Sequence, residues 1–209
     1  MPAKTRAKRG YAPPPPEPPS RTALEAGAIH LRPLERGDAE ALLEAVRESM
    51  VELAAWMAWA HRGYGAADAR VYLDSRAAAW RRGEEYAFGI VDAATGMFLG
   101  CAGLNQPNRA HRLMNLGYWV RTRAARRGVA TAATLRLAAW GFEALGLCRV
   151  EIVVDPDNLA SQRVAEKAGA RREGILRRRI VAPGGQRDAV MFSLIPEDLA
   201  SDTKGTRKP

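Results

Sequence analysis

Residues 125–131, Ala-Arg-Arg-Gly-Val-Ala-Thr, lie where an apolar run, Leu113 to Val120, gives way to a helical pattern from Ala130 to Leu145. A loop of this kind offers unpaired main-chain N–H groups and the positive end of the helix dipole. Gly128 has no Cβ, so the chain there can approach a ligand closely. Arg126 and Arg127 add positive charge, and together these features suit a pyrophosphate. Further along, Asn158 precedes a short helical stretch with Ser161 in its first turn, the spacing of an N-cap and its partner. Glu151 sits in the run Val150-Glu151-Ile152-Val153-Val154, where alternation places it on the face of Val153. A carboxylate there can serve as a base or simply pair with an arginine at a strand edge. Trp56 and Trp59, with Met57 between them and His61 after, are three apart and share one face if this segment is helical; that spacing fits packing as well as recognition.

Periodicity supplies the elements that must hold these residues. Ala28 to Leu31 reads as a first strand closed by Arg32-Pro33, and Asp38 as the cap of a helix running to about Met50. A second helical segment spans Val51 to Trp59 and ends at Gly63-Tyr64-Gly65; a third runs from Ala66 to Arg82. Strands at Tyr86–Val91 and Met97–Leu104 flank the turn Asp92–Gly96. After the strand at 113–120 and the Arg/Gly loop, Leu135, Ala138, Phe142 and Leu145 mark the apolar stripe of a long helix stopped by Gly146. Arg149–Val154 is a strand, Leu159–Ala168 a helix stopped by Gly169, and strands at 171–181 and 187–194 flank Pro183-Gly184-Gly185. The order β-α-α-β-β-β-α-β-α-β-β predicts an α/β fold, a mixed sheet covered by helices.

The chain has 209 residues, 47% hydrophobic and 26% charged, the composition of one folded domain with a real core. Pro13 to Pro16, Pro18 and Pro19 cannot build a core, so residues 1–24 read as a basic, disordered tail, 25–195 as the domain and 196–209 as a C-terminal tail. The net charge of +9 is shared between the tail (Lys4, Arg6, Lys8, Arg9 and Arg21 against Glu17) and the body. A basic body suits an anionic ligand or a neighbour of nucleic acid. No stretch approaches the ~20 apolar residues that cross a bilayer, and no hydrophobic segment follows the basic N-terminus. Cys101 and Cys148 lie in apolar contexts and read as two buried free thiols, which fits the cytoplasm. His30 and His111 have no metal-ligand companions, and no spacing of His, Cys, Asp or Glu predicts a metal site.

Four segments in order resemble the GNAT family of N-acetyltransferases, over residues 29–195: Leu116-Gly117-Tyr118-Trp119-Val120, Arg126-Arg127-Gly128-Val129-Ala130-Thr131, Asn158 to Ala170, and Asp188 to Leu194. The branch resembled acetylates the N-termini of ribosomal proteins. The resemblance implies the acyl-CoA N-acyltransferase fold, with a mostly antiparallel sheet, and acetyl-CoA as co-substrate without a metal. It implies that Arg126, Arg127, Gly128, Val129, Ala130 and Thr131 bind the pyrophosphate. The family pattern begins with Gln or Arg where this chain has Ala125, but the binding groups are mostly main-chain. Family strands diverge after the Gly-Tyr-Trp motif, so the coenzyme arm would lie along Trp119 and Val120, with Asn158 beside it and a main-chain amide polarising the thioester carbonyl.

Many members carry a tyrosine four residues beyond Ser161 that protonates the leaving thiolate; here that position is Ala165. The resemblance to the ribosomal branch hands that role to Ser161. Relatives place a basic Glu where this chain has Asn115 or Ile180, which leaves Glu151 as the candidate base, or a relayed water. Trp56, Trp59 and Tyr118 are the candidates for contacting the acceptor. The function implied is acetyl transfer to a protein or peptide N-terminal amine, or to a small amine, by direct attack in a monomer or homodimer. The alternatives are a GNAT module that binds coenzyme without catalysis and a ribosome- or RNA-associated binding protein. Of aromatics that could stack bases, the tail has only Tyr11.

Overall fold

A computed structural model describes residues 24–182 and 184–200. Eight strands form one sheet in the order β1-β2-β3-β4-β5-β6-β8-β7. They are β1 (Leu24–Ala26), β2 (Ile29–Pro33), β3 (Glu85–Asp92), β4 (Phe98–Asn108), β5 (Leu113–Val120), β6 (Arg149–Val154), β7 (Arg171–Ala182) and β8 (Gly185–Leu194). All neighbours pair antiparallel except β5 and β6, which run parallel. The helices are α1 (Ala39–Glu48), α2 (Met50–Trp56), α3 (Ala66–Arg82), α4 (Val129–Leu145), α5 (Leu159–Lys167) and the short α6 (Pro196–Ala200). This is the mixed, mostly antiparallel α/β architecture expected.

Two cores result, one on each face of the sheet. On the first, Phe88, Leu104, Leu116, Val150, Ile152 and Phe192 meet Ala133, Leu137 and Ala138 of α4. On the other, Ala87, Phe98 and Cys101 meet Leu42, Val46, Ala69 and Leu73 of α1 and α3. The buried residues of α4 are Val129, Ala130, Ala133, Thr134, Leu137, Ala138, Trp140 and Gly141, so of the predicted stripe Ala138 is buried while Leu135, Phe142 and Leu145 flank the observed one, half-buried. Small residues face the sheet because the helix packs close to it: a Cβ on Gly141 would meet a Leu104 methyl at 3.0 Å.

Several expectations need correction at element ends. Leu24 is no part of a loose tail: it is buried, pairs with Leu31 and opens an extra strand. The rest of the predicted N-terminal tail lies outside the described residues, as does Pro183 of the last hairpin. Pro196–Ala200 is helical rather than tail. Asp38 makes no side-chain cap on α1; its carboxylate accepts from the Glu35 amide at 2.8 Å and binds Arg32, closing the preceding 3-10 turn instead. Helix α2 ends at Trp56, where Met57 turns extended, so Trp56 and Trp59 share no helical face. Cys101 is buried and Cys148 only half-buried, and both thiols are free.

Gly100 is where β4 and β5 come closest. Its φ of +148° lies outside the range ordinary residues adopt, and a Cβ would sit 2.2 Å from the Trp119 carbonyl oxygen and 2.8 Å from the Val120 Cα. Both obstacles are main chain and cannot swing aside. Gly100→Ala is expected to cost about 2–3 kcal/mol in urea unfolding, by overpacking and strain together.

Candidate active site

The register of β5 against β6 sets up the site. Leu113, Met114 and Asn115 pair with Arg149, Val150 and Glu151, and the ladder stops there. From Leu116 to Val120 the inner edge of β5 has no strand beside it, and β6 over Ile152–Val154 is paired on its far side alone, with β8. The strands therefore open as a wedge, as expected, with main-chain donors and acceptors along both walls.

At the wide end of the wedge lies the Arg/Gly loop. Arg126 and Gly128 both take left-handed conformations, φ +60° and +80°, and α4 begins at Val129. The first intrahelical bond from this end is Ala132 N–H to Gly128 O, 2.9 Å, so the amides before it look out of the helix. Arg126, Arg127 and Gly128 are exposed, Val129 and Ala130 buried, and Thr131 half-buried. Positive φ at a non-glycine is strain that surrounding structure must enforce. Just upstream, Arg121 ties the exit of β5 to α1. Its side chain, 2% exposed, donates to Phe98 O at 3.0 Å, Glu44 Oε1 at 2.7 Å and Glu48 Oε2. The Thr122 amide donates to Ser49 Oγ and the Arg123 amide to Glu48 Oε1, so the chain entering the loop is moored at the end of α1. Burial disfavours the Glu48 carboxylate, yet Arg121 and the Arg123 amide hold it below the usual range.

Beside the wedge stands a pair of hydroxyls. Asn158 is the N-cap of α5 and its Oδ1 accepts from the Ser161 amide at 3.0 Å. The Tyr118 hydroxyl lies 3.0 Å from both Ser161 O and Ser161 Oγ. Tyr118 thus points to α5, away from the face on which its neighbours Gly117 and Trp119 lie. Burial pushes its phenol up to about 12, an effect the Ser161 hydrogen bond partly offsets, so it stays a neutral donor at physiological pH.

On the opposite face the sheet is hollow. Gly103 pairs with Gly117, and Cys101 with Trp119, so the centre of that face carries little side-chain bulk. A cavity of about 700 Å³ opens there, walled by Trp59, His61, Tyr64, Tyr72 and Trp119, with Glu85, Asp68, Arg76 and Asn105 among its polar groups. Trp59 stands 5.7 Å from Tyr64 and 6.2 Å from Trp119, ring centre to ring centre. Two of its carboxylates are engaged: Glu85 with Arg76, and Asp68 as acceptor of the Gly65 amide at 2.8 Å. Trp56 is half-buried and outside the cavity. Asn115 donates to Asn105 Oδ1 at 2.9 Å.

Glu151 is placed otherwise than expected. Its Oε1 pairs with Arg149 Nε at 2.9 Å; Arg149 also holds Glu173, which accepts from Ser193 Oγ at 2.7 Å. That network leaves Glu151 outside the cavity, in the structural role its strand-edge position also allowed. Arg149 and Ser193 hold the Glu173 carboxyl down at about 2. A folded-state value below the unfolded one means this contribution to stability is full above about pH 4.5 and is lost as pH falls toward 2. Glu173→Gln should therefore lower the urea midpoint at pH 7, with the gap to the wild type closing below about pH 4. A gap independent of pH would show that packing, not charge, is at stake.

Sequence reasoning noted His61 only as the residue after the Trp56–Trp59 segment and missed Tyr64, Asp68, Arg76 and Glu85 as site residues. Gly63-Tyr64-Gly65 registered only as a stop signal, and Glu85 fell just before the strand read from Tyr86. The available signal was the density of aromatic and ionisable residues between Trp56 and Arg76, too diffuse to point to a cavity. Among the described residues no group of His, Cys, Asp or Glu could hold a metal ion, and no helix is long and apolar enough to cross a membrane.

A sheet split beside an exposed Arg/Gly loop, with a cavity behind it, is the architecture of an acetyltransferase domain. The acetyltransferase (GNAT) domain model matches residues 28–171. The chain belongs to the GNAT family and is an acetyltransferase of it. A Bacillus subtilis (strain 168) protein provisionally named ribosomal N-acetyltransferase YdaF is 30% identical over 172 residues, covering 81% of this chain and 92% of that one. The provisionally named N-acetyltransferase YjcK of the same organism is 31% identical over 177 residues, 84% and 98% of the two chains. Among solved structures, Mycobacterium smegmatis RimJ in complex with CoA-disulfide superposes with a TM-score of 0.75 at 27% identity, over 86% of this chain and 91% of that one.

Proposed function

We propose that this chain moves the acetyl group of acetyl-CoA to the N-terminal amine of a protein or peptide, of the ribosomal-protein type. What carries the reading is the junction at Tyr118-Trp119: one wall of the wedge and one wall of the cavity are the same two residues. A thioester laid along the wedge and an amine entering the cavity would meet there. RimJ with its bound CoA-disulfide supports the wedge as the coenzyme site. The name of YdaF supports the acceptor class.

In this reading the amides of Gly128 to Thr131 take the pyrophosphate, with Arg126 and Arg127 adding charge. An amide of Trp119 or Val120 polarises the acetyl carbonyl. The neutral amine attacks the carbonyl carbon, a C–N bond forms, and the C–S bond breaks as the tetrahedral intermediate collapses. Ser161 Oγ–H gives its proton to the departing thiolate, and Tyr118, a positioning residue, fixes that hydroxyl through the bonds at 3.0 Å. Asn158 keeps the turn that presents Ser161. With Glu151 committed to Arg149, His61 in the cavity wall is the group that takes the proton of the attacking amine, directly or through water.

The test is a thiol-release assay over a panel of peptides and small amines, with calorimetry on acetyl-CoA alongside. Turnover with peptides and little with small amines is the expected result. Tight coenzyme binding without turnover of any amine would overturn the catalytic reading and leave a coenzyme-binding module. His61→Asn should lower kcat about 10²-fold while coenzyme affinity stays as it was. An undiminished kcat would remove His61 from its role.

A further inference from the structure

One charged feature is used neither by the coenzyme site nor by the cavity walls. Between Leu176 and Ile180 the register of β7 on β8 shifts, so Arg177, Arg178 and Arg179 leave the ladder as a bulge. Arg178 is left-handed, φ +49°, and its amide donates to Asp188 Oδ1 at 2.8 Å, which pins the bulge open. All three arginines are exposed. Among the described residues no carboxylate forms an ion pair with their guanidiniums. The one side-chain hydrogen bond of the bulge runs from Arg179 Nη2 to Gln106 Oε1, 3.3 Å. Gln106 is itself in a bulge of β4, φ +51°, and adjoins Asn105 in the cavity wall. The two bulges meet at the rim of the acceptor cavity.

Three adjacent guanidiniums without a carboxylate partner repel one another and favour a polyanionic neighbour. Among the described residues, Asp188 at the bulge accepts from the Arg178 amide and forms no ion pair with the three guanidiniums, so the positive charge here exceeds that of the carboxylate beside it and an incoming molecule can supply the balance. We propose that the bulge at 177–179 reads carboxylates in the acceptor, selecting protein N-termini followed within a few residues by Asp or Glu. This rests on the acetyltransferase reading above and narrows its substrate class. Against a nucleic-acid partner stands the composition of the hairpin: Arg171–Ala182 has no aromatic side chain on which a base could stack.

The test uses the full chain and two synthetic peptides identical in their first two residues, one carrying Asp and Glu at positions 3–6 and the other Asn and Gln. The acidic peptide should show a kcat/KM about ten-fold higher, a preference that shrinks with added salt. In R177Q/R178Q/R179Q the ratio should fall to about one, and R177E/R179E should reverse it in favour of a Lys-bearing peptide. Equal kcat/KM on the two peptides in the wild type, or an undiminished preference in both variants, overturns the inference. Salt-sensitive binding of a single-stranded RNA, lost in the triple variant while peptide preference stays flat, would assign the surface to RNA and also overturn it. Fluorescence anisotropy of the labelled peptides separates the two levels. Selective binding without turnover of any peptide fails the enzyme reading; turnover without selectivity fails this one.

Discussion

Arg121→Met is expected to cost about 2–3 kcal/mol of stability, because it leaves the Phe98 carbonyl without its donor and half-buried Glu48 with one cation fewer. Arg121 is 2% exposed, and its guanidinium is shared among Phe98 O, Glu44 and Glu48. Methionine fills similar volume but cannot satisfy the Phe98 carbonyl, and it leaves Glu48 facing a half-buried site with only Arg123 as cation. The consequence reaches function through the loop. Thr122 and Arg123 are tied to α1 by Ser49 and Glu48, and three residues later Arg126 must hold a left-handed conformation. With that mooring loosened, the amides of Gly128 to Thr131 lose their fixed direction. Urea unfolding and coenzyme calorimetry on the same variant should therefore both worsen. A variant that loses stability but keeps full coenzyme affinity would show that the loop is set by its own sequence.

Ser161→Ala should lower kcat by about 10²–10³-fold while leaving the affinity for coenzyme nearly as it was. The substitution removes one hydroxyl from a helix whose cap, Asn158 Oδ1 to the Ser161 amide, needs only main chain at that position. Tyr118→Phe should have a smaller effect, about ten-fold, since it removes the orienting bond and not the acid. In the Ser161→Ala background Tyr118→Phe should add almost nothing, the mark of two groups acting as one unit. Additive losses would mean that Tyr118 acts on substrate independently. Single-turnover thiol release, read separately from binding, makes the distinction.

Much of this architecture was legible in the residues. Strand 113–120, strand 149–154 and helix 66–82 have the bounds that periodicity gave them, because alternation and apolar spacing there are uninterrupted and their ends carry turn residues. The loop was also readable, since a glycine before a helix is a local signal, and the diverging strands followed from the family resemblance that Gly117-Tyr118-Trp119 helps to carry. The cavity was not. Its walls come from α2's exit, α3, β3, β4 and β5, and two facing glycines, Gly103 and Gly117, matter through what they lack. Of the two readings open for Glu151, the structure shows the pairing with an arginine, Arg149; that Arg149 also holds Glu173 was not legible, since Glu173 is distant in sequence and brought near by the β6–β8–β7 order. Helix α2 stopped short of Trp59 because tertiary contacts, among them Trp59 with Trp119, outweighed local helical preference.

The unpaired inner edge of β5 has a further meaning for the protein when its site is empty. Strand edges are normally found at the margins of a sheet, where charges or covering helices guard them. Here one opens in the interior of the sheet and only a ligand can complete it. Occupancy should thus act as a missing strand: the amides of Leu116 to Val120 should exchange with deuterium markedly more slowly once acetyl-CoA is present. The melting temperature should climb with ligand concentration, by the equivalent of about 2.7 kcal/mol at a hundred-fold excess over Kd. In a cell, the folded lifetime of this chain would then follow the supply of acetyl-CoA, so that metabolic state sets how much of the enzyme survives as well as how fast it works.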